Sequence, residues 1–90
     1  MAIIFDPVKN AENIAELGLS FELIETLEWD AASVKEDTRR NYGEVRLQVL
    51  GLLGNRLVMA VVTPRGQELR VISLRQASKQ EVWIYGQKDR

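Results

Sequence analysis

The sequence predicts an α+β protein: a small antiparallel sheet with two N-terminal helices and one C-terminal helix packed on one side of it. Three observations lead there. Apolar residues recur at helical spacing before residue 30 and alternate with period two after residue 44. Two turn signals, Gly54-Asn55 and Pro64-Arg65-Gly66, divide the alternating half into three consecutive strands. Residues suited to helix starts precede each expected helix: Asp6 before Pro7, then Ser20, then Ser78 with Glu81 three positions on.

In chain order, Ile3, Ile4 and Phe5 read as a short first strand. A helix follows from Val8 to Glu16, with Val8, Ala11, Ile14 and Ala15 as its apolar stripe and Gly18 as its left-handed stop. Ser20 starts the second helix, whose stripe is Phe21, Leu23, Ile24 and Leu27 and whose exposed side carries Glu22, Glu25 and Glu28; Trp29 closes it. The stretch from Ala31 to Tyr42 is polar and irregular, with Ala32–Lys35 as a brief edge strand. Val45, Leu47, Val49 and Gly51 then alternate with Glu44, Arg46, Gln48 and Leu50, as a half-buried strand requires. Arg56 to Thr63 is nearly all apolar, as suits a central strand covered on both faces, and Gln67 to Leu74 is the last strand. Ser78 and Glu81 form a capping box, so a final helix is expected from about Lys79 to Tyr85, with Val82 and Tyr85 available for the core.

Ninety residues make one domain, 1–90, with a single thin core. Without Cys or His the chain has no disulfide, no thiolate chemistry and no imidazole, which removes the usual zinc sites and catalytic triads. The segment Met1–Phe5 lacks the flank and length of a signal peptide, and no stretch reaches membrane-spanning length, so a cytoplasmic protein without membrane partners is expected. The formal charge of −1 hides a separation. Residues 1–37 carry Lys9 and Lys35 against nine carboxylates, whereas residues 38–90 carry ten Lys and Arg against Glu44, Glu68, Glu81 and Asp89. A basic segment of this kind holds a polyanion or an oppositely charged partner.

The candidates for chemistry therefore lie in the second half. Arg70 is expected to share a strand face with Ile72 and Leu74, opposite Leu69, Val71 and Ser73, and Arg75 leaves at the strand end. Any one arginine could simply cover apolar surface with its stem and pair with Glu44 or Glu81. Their number argues for more: Arg46, Arg56, Arg65, Arg70, Arg75 and Lys79 come from adjacent strands, turns and a helix start, and are expected to converge. Planar guanidinium groups suit phosphates and the added charge of a phosphorane. Glu44, between Gly43 and Arg46, is either an ion-pair partner or a base. Tyr42, Trp83 and Tyr85 could stack on bases or belong to the core. Asp6, Asp30, Asp37 and Glu44 lack the spacing of a metal loop, so no metal and no cofactor are expected.

Phe5-Asp6-Pro7, Lys9, Asn13, Gly18, Ser20, Phe21 and Glu22, then Tyr42-Gly43-Glu44, Arg46, Gly51, Val61-Val62-Thr63, Arg65-Gly66, Arg70, Ile72-Ser73, Arg75, Ala77, Glu81 and Tyr85 resemble, in order and spacing, the signature of the BrnT family of type II toxin–antitoxin toxins. The resemblance covers residues 3–85. It implies a RelE-like fold, a metal-independent ribonuclease activity that inhibits translation, RNA as substrate, a cognate antitoxin as protein partner, and DNA contact only through the toxin–antitoxin complex. It further implies that the ribose 2′-hydroxyl attacks the adjacent phosphate, so the protein orients RNA, accepts a proton and stabilises charge. On that basis Arg46, Arg65, Arg70 and Arg75 are the expected phosphate and transition-state contacts, with Glu44 or Tyr85 for proton transfer. Where the family commonly has Lys-His-Gly, this chain has Glu16-Leu17-Gly18, losing a basic residue and the usual histidine. A second reading is a weakened or non-catalytic homologue whose arginines receive an acidic segment of the antitoxin.

Overall fold

Five strands form one sheet in the order β1-β5-β4-β3-β2. They are β1 (Ala2–Ile4), β2 (Ser33–Glu36), β3 (Leu47–Leu53), β4 (Arg56–Arg65) and β5 (Glu68–Gln76), with helices α1 (Pro7–Leu17) and α2 (Lys79–Gln87). The computed structural model describes residues 2–87, so Lys88, Asp89 and Arg90, counted above in the basic half, lie outside the described residues. The three hairpin strands β3, β4 and β5 pair antiparallel as expected, and β2 adds an antiparallel edge through Ser33↔Leu50 to Glu36↔Leu47. The sheet is nevertheless mixed, because β1 pairs parallel with β5 through Ala2↔Glu68 and Ile4↔Arg70. A three-residue first strand followed directly by a helix reaches the β5 edge only after the chain has travelled through the rest of the fold, and no local signal marks that pairing.

Alternation along the strands sends Val49, Val58, Ala60, Val62, Leu69, Val71 and Leu74 to one face, where they join Leu19, Phe21, Ile24 and Leu27 in the core. Leu69, Val71 and Leu74 share that face despite their odd and even numbers. The register slips between Val61 and Val62, so that Val61 faces Ser73 while Val62 faces Val71, and the unpaired Ile72 is a bulge. The expected grouping of Arg70 with Leu74 is corrected accordingly: Leu74 is buried in the core and Arg70 points to the other face.

The N-terminal half covers the core with one α-helix and two 3₁₀ segments instead of two α-helices. Asp6 caps α1 by accepting from the Val8 amide, and Gly18 ends it with φ 70°. The next segment, Phe21–Thr26, starts on Ser20 as foreseen but winds as 3₁₀, and a second such turn spans Trp29–Ala31. Its tighter pitch still delivers Phe21, Ile24 and Leu27 to the core while Glu22, Glu25 and Glu28 stay exposed. The Trp29 indole donates to the Ile24 carbonyl at 3.1 Å, tying the two turns together. Gly51 is where they approach the sheet most closely: a Cβ there would lie 3.2 Å from both Ala32 Cβ and Leu27 Cδ2.

Helix α1 turns its polar side inward. Asn10 accepts the Phe21 amide at 2.7 Å and Asn13 donates to the Leu19 carbonyl at 2.8 Å, so the supposed core stripe of Val8, Ala11, Ile14 and Ala15 lies exposed, Val8 at 65%. The two asparagines satisfy backbone groups that the 3₁₀ turn leaves open, and this fixes the helix orientation. Helix α2 begins on the foreseen capping box, but lies over the sheet face opposite the core, facing Leu50 and Met59 across a groove, so helical elements flank both faces. Val82 is 53% exposed and does not enter the core.

Candidate functional site

The face beneath α2 is built by the residues that alternate away from the core: Ser33 and Lys35 on β2, Gln48 and Leu50 on β3, Met59, Val61 and Thr63 on β4, and Arg70, Ser73 and Arg75 on β5. Just before β3, the Arg46 carbonyl extends the ladder by accepting the Asp37 amide at 2.7 Å, and continuing the register sets Arg46 opposite Thr63 of β4, with Arg70 on the next strand. Glu44, two residues earlier, and Arg65 at the end of β4 lie on the same face and meet there.

The connection between β2 and β3 is organised by charge. Asp37, whose side chain is 1% exposed, accepts Nε and a terminal nitrogen of Arg39, both at 2.8 Å, the Arg39 amide at 3.2 Å and the Tyr42 hydroxyl at 3.1 Å. The Arg39 guanidinium, its amide and the Tyr42 hydroxyl together hold the Asp37 carboxyl well below the usual carboxylate range despite burial, and Arg39 is raised in turn. The Tyr42 ring carries the Arg46 guanidinium 4.2 Å from its centroid. Gly43 then turns with φ 73°, its amide donating to Asn41, and delivers Glu44. The Glu44 carboxylate accepts from Arg65 at 3.0 Å and from Arg46 Nε at 3.4 Å. An unbroken chain of contacts therefore runs Arg39, Asp37, Tyr42, Arg46, Glu44, Arg65. Thr63 supports it by donating its hydroxyl to the Val45 carbonyl.

A second cluster stands at the start of α2. Glu81 accepts both terminal nitrogens of Arg75, at 2.8 and 2.9 Å, and the Ser78 amide at 2.9 Å, while Ser78 Oγ accepts the Glu81 amide. The Arg75 fork is the main cause that brings the Glu81 carboxyl down to about 2. Arg75 is raised by Glu81, with burial and repulsion from Arg39 acting the other way.

The residues singled out from the sequence thus divide. Glu44, Arg46 and Arg65 touch, and Arg70 stands one strand away on the same face without a carboxylate partner among the described residues. Arg75 is four β4 positions from Thr63 by register, roughly 13 Å along the sheet. Tyr85 donates to the Ala31 carbonyl at 2.9 Å, beyond the start of β2, roughly 20 Å from Glu44 by strand rise. Arg56 does not converge with the others: it begins β4 on the core-facing parity, nine residues and roughly 30 Å from Arg65. Lys79 is exposed at the start of α2.

Three depressions mark the surface of this face, and they share residues. A groove of about 290 Å³ under α2 includes Lys35, Gln48, Leu50 and Met59; a second, of about 260 Å³, shares Lys35 and Gln48 and reaches Asp37 and Arg39; a third, of about 460 Å³, shares Arg39 and adds Arg40, Tyr42 and Arg46. They adjoin one another through these shared residues, and Lys35, Arg39, Arg40 and Arg46 border them together with the carboxylates Glu36, Asp37 and Glu81. Lys35, Asp37, Arg39, Arg40 and Gln48 belong to them and were not singled out from the sequence; the adjacent Arg39-Arg40 pair two residues after Asp37 was the available signal. Among the described residues no group of three carboxylates gathers as a metal site would require. The arrangement is suited to holding a chain of phosphates against a sheet face, with one carboxylate, Glu44, inside the cationic cluster.

A model of the family described as "Ribonuclease toxin, BrnT, of type II toxin-antitoxin system" matches residues 5–81. No curated protein matches the chain.

Proposed function

The chain belongs to the BrnT family of type II toxin–antitoxin ribonuclease toxins, and from that premise we propose that it is a metal-independent endoribonuclease with a RelE-like fold that cleaves RNA on the Arg46–Glu44–Arg65 cluster and so inhibits translation. The family implies an RNA substrate and an antitoxin partner. What carries the reading is a single observation: one carboxylate held between two guanidiniums, one of them seated on a tyrosine ring, beside a cation-bordered depression.

In this mechanism Arg46, Arg65 and Arg70 bind the scissile phosphate and its neighbours. Glu44 takes the proton from the ribose 2′-hydroxyl as that oxygen attacks phosphorus; the bond to the 5′ oxygen breaks, and solvent returns a proton to it. The products are a 2′,3′-cyclic phosphate and a 5′-hydroxyl. Two guanidinium groups around the phosphorane stabilise the charge it gains, and a phosphate oxygen replaces Glu44 on one of them as substrate enters. Arg75 serves a more distant phosphate. Tyr85, the other candidate for proton transfer, is too far from Glu44 to act on the same phosphate. Purified protein is expected to cleave RNA in the presence of a chelator, and Glu44→Gln to lower kcat by about a hundredfold. Undiminished cleavage by Glu44→Gln would remove that residue from the mechanism.

A second reading has one observation in its favour. Glu12 and Glu16 border a depression with Lys9, Ile72 and Ser73 beside β5, and at Glu16 the family's common basic residue is replaced by an acid. A non-catalytic homologue would use the same arginines to receive an acidic antitoxin segment. Growth arrest on expression of the protein alone, reversed by the antitoxin, decides for the nuclease.

A further inference from the structure

The groove beneath α2 is lined by none of the arginines assigned to phosphate above, and it shares Lys35 and Gln48 with the next depression. Its floor is apolar, formed by Leu50 and Met59, with Ile84 of α2 overhanging it. Its neutral polar groups are two amides, Gln48 from the floor and Gln80 from the helix, each offering a donor and an acceptor, and the hydroxyls of Ser33 and Ser78. Lys35 stands where the groove meets the next depression. The carboxylate that borders it, Glu81, is compensated by the Arg75 fork and the Ser78 amide. An apolar floor edged by amides and hydroxyls complements a heteroaromatic ring with hydrogen-bonding edges, and a volume of about 290 Å³ admits a single ring system.

Position supports that match. Gln48 is one ladder step from Arg46 on the same strand face, roughly 7 Å by strand rise. That step corresponds to the reach of one nucleotide from its base to its phosphate. Beyond it the adjoining depressions continue through Lys35 and Arg39 to Arg40, Tyr42 and Arg46, so an extended strand laid on the cations would carry a base into the groove.

We infer that the groove between α2 and strands β2 to β4 is a nucleobase-binding subsite, in which Gln48 and Gln80 read the edge of one unpaired RNA base and thereby set sequence preference. This rests on the RNA-cleaving reading above. It separates two jobs on one face: the arginines bind any phosphate chain, and the amide-edged slot distinguishes bases.

The test is an NMR titration of the isotope-labelled full chain with short 2′-O-methyl homo-oligonucleotides of A, C, G and U, whose capped 2′ oxygen prevents cleavage, and with an abasic phosphodiester of equal length. The expected result is that base-bearing oligonucleotides shift the side-chain amides of Gln48 and Gln80 and the methyls of Leu50 and Ile84, whereas the abasic chain shifts only the Arg39–Arg46 segment. One base binds about tenfold more tightly than the weakest, and Gln80→Ala, an exposed substitution, reduces that ratio to about threefold or less without changing abasic affinity. Shifts confined to the arginines, or equal affinity for abasic and base-bearing chains, would overturn the subsite and leave the nuclease reading standing. Absence of any response to any oligonucleotide would overturn both.

Discussion

Asp37 is the residue on which the β2–β3 connection depends. Its carboxylate satisfies Arg39, an amide and Tyr42 at once, and Tyr42 in turn backs Arg46. Removing it leaves several donors to find water instead. Asp37→Ala is therefore expected to lower the melting temperature and to reduce RNA cleavage, whereas Tyr42→Phe, which keeps the ring under Arg46 and loses only the hydroxyl contact, retains most activity. Equal loss in both variants would argue against the ring's part. Acid stability follows from the same carboxylates. Asp37 and Glu81 bind protons less readily folded than unfolded, because arginine forks hold them ionised. A carboxyl lowered in this way contributes stability that is complete above the unfolded value near 4 and is lost as pH falls toward the folded one, for Glu81 about 2. Melting temperature is expected to be flat from pH 7 to about 5 and to fall below about 4, with a shallower fall in Glu81→Gln. An identical fall in that variant would contradict the ion-pair assignment. The pairing of Glu44 with nearby arginines was legible from their spacing; the role of Asp37 was not, since an aspartate in a polar stretch is ordinarily solvated and only the folded loop buries it.

At the scale of the element, the local signals held where the physics is local. Asp6, Gly18, Ser20, Gly54 and the Ser78–Glu81 box act where the sequence suggested, since caps and tight turns depend on a few neighbouring residues. The parallel pairing of β1, the bulge at Ile72 and the reversed face of α1 depend on distant partners, and nothing in the periodicity announced them. Helical spacing in α1 was real, but two asparagines bound to the 3₁₀ segment decided which side faces inward. Asn10→Ala is expected to destabilise the fold by about 1–3 kcal/mol, because the partly buried Phe21 amide loses its acceptor. Ile24→Ala, at a fully buried position in the 3₁₀ segment, is expected to cost about 2–5 kcal/mol. Denaturant unfolding measures both, and a neutral Ile24→Ala would show that the 3₁₀ segment does not seal the core.

The whole molecule resolves the charge separation into geometry. The acidic first half covers the core face and leaves Glu22, Glu25 and Glu28 exposed, whereas the opposite face gathers Lys35, Arg46, Arg65, Arg70 and Arg75 beside α2. Net charge near zero thus coexists with one face suited to polyanions. Binding of RNA on that face should weaken steeply with added salt, as displaced counterions require, and each phosphate-contacting arginine removed should reduce the slope of log affinity against log salt by about 0.7 for a single strand. Arg56, with the same charge on the other face and at the far end of β4, is the internal control. The most direct measurement is cleavage of RNA by purified protein in the presence of a chelator, comparing the wild type with Arg46→Ala and Arg56→Ala. A nuclease centred on the Arg46–Glu44–Arg65 cluster cleaves as wild type, loses about a hundredfold or more in kcat/KM with Arg46→Ala, and is unchanged with Arg56→Ala. An inert wild type, or equal losses in the two variants, would contradict it.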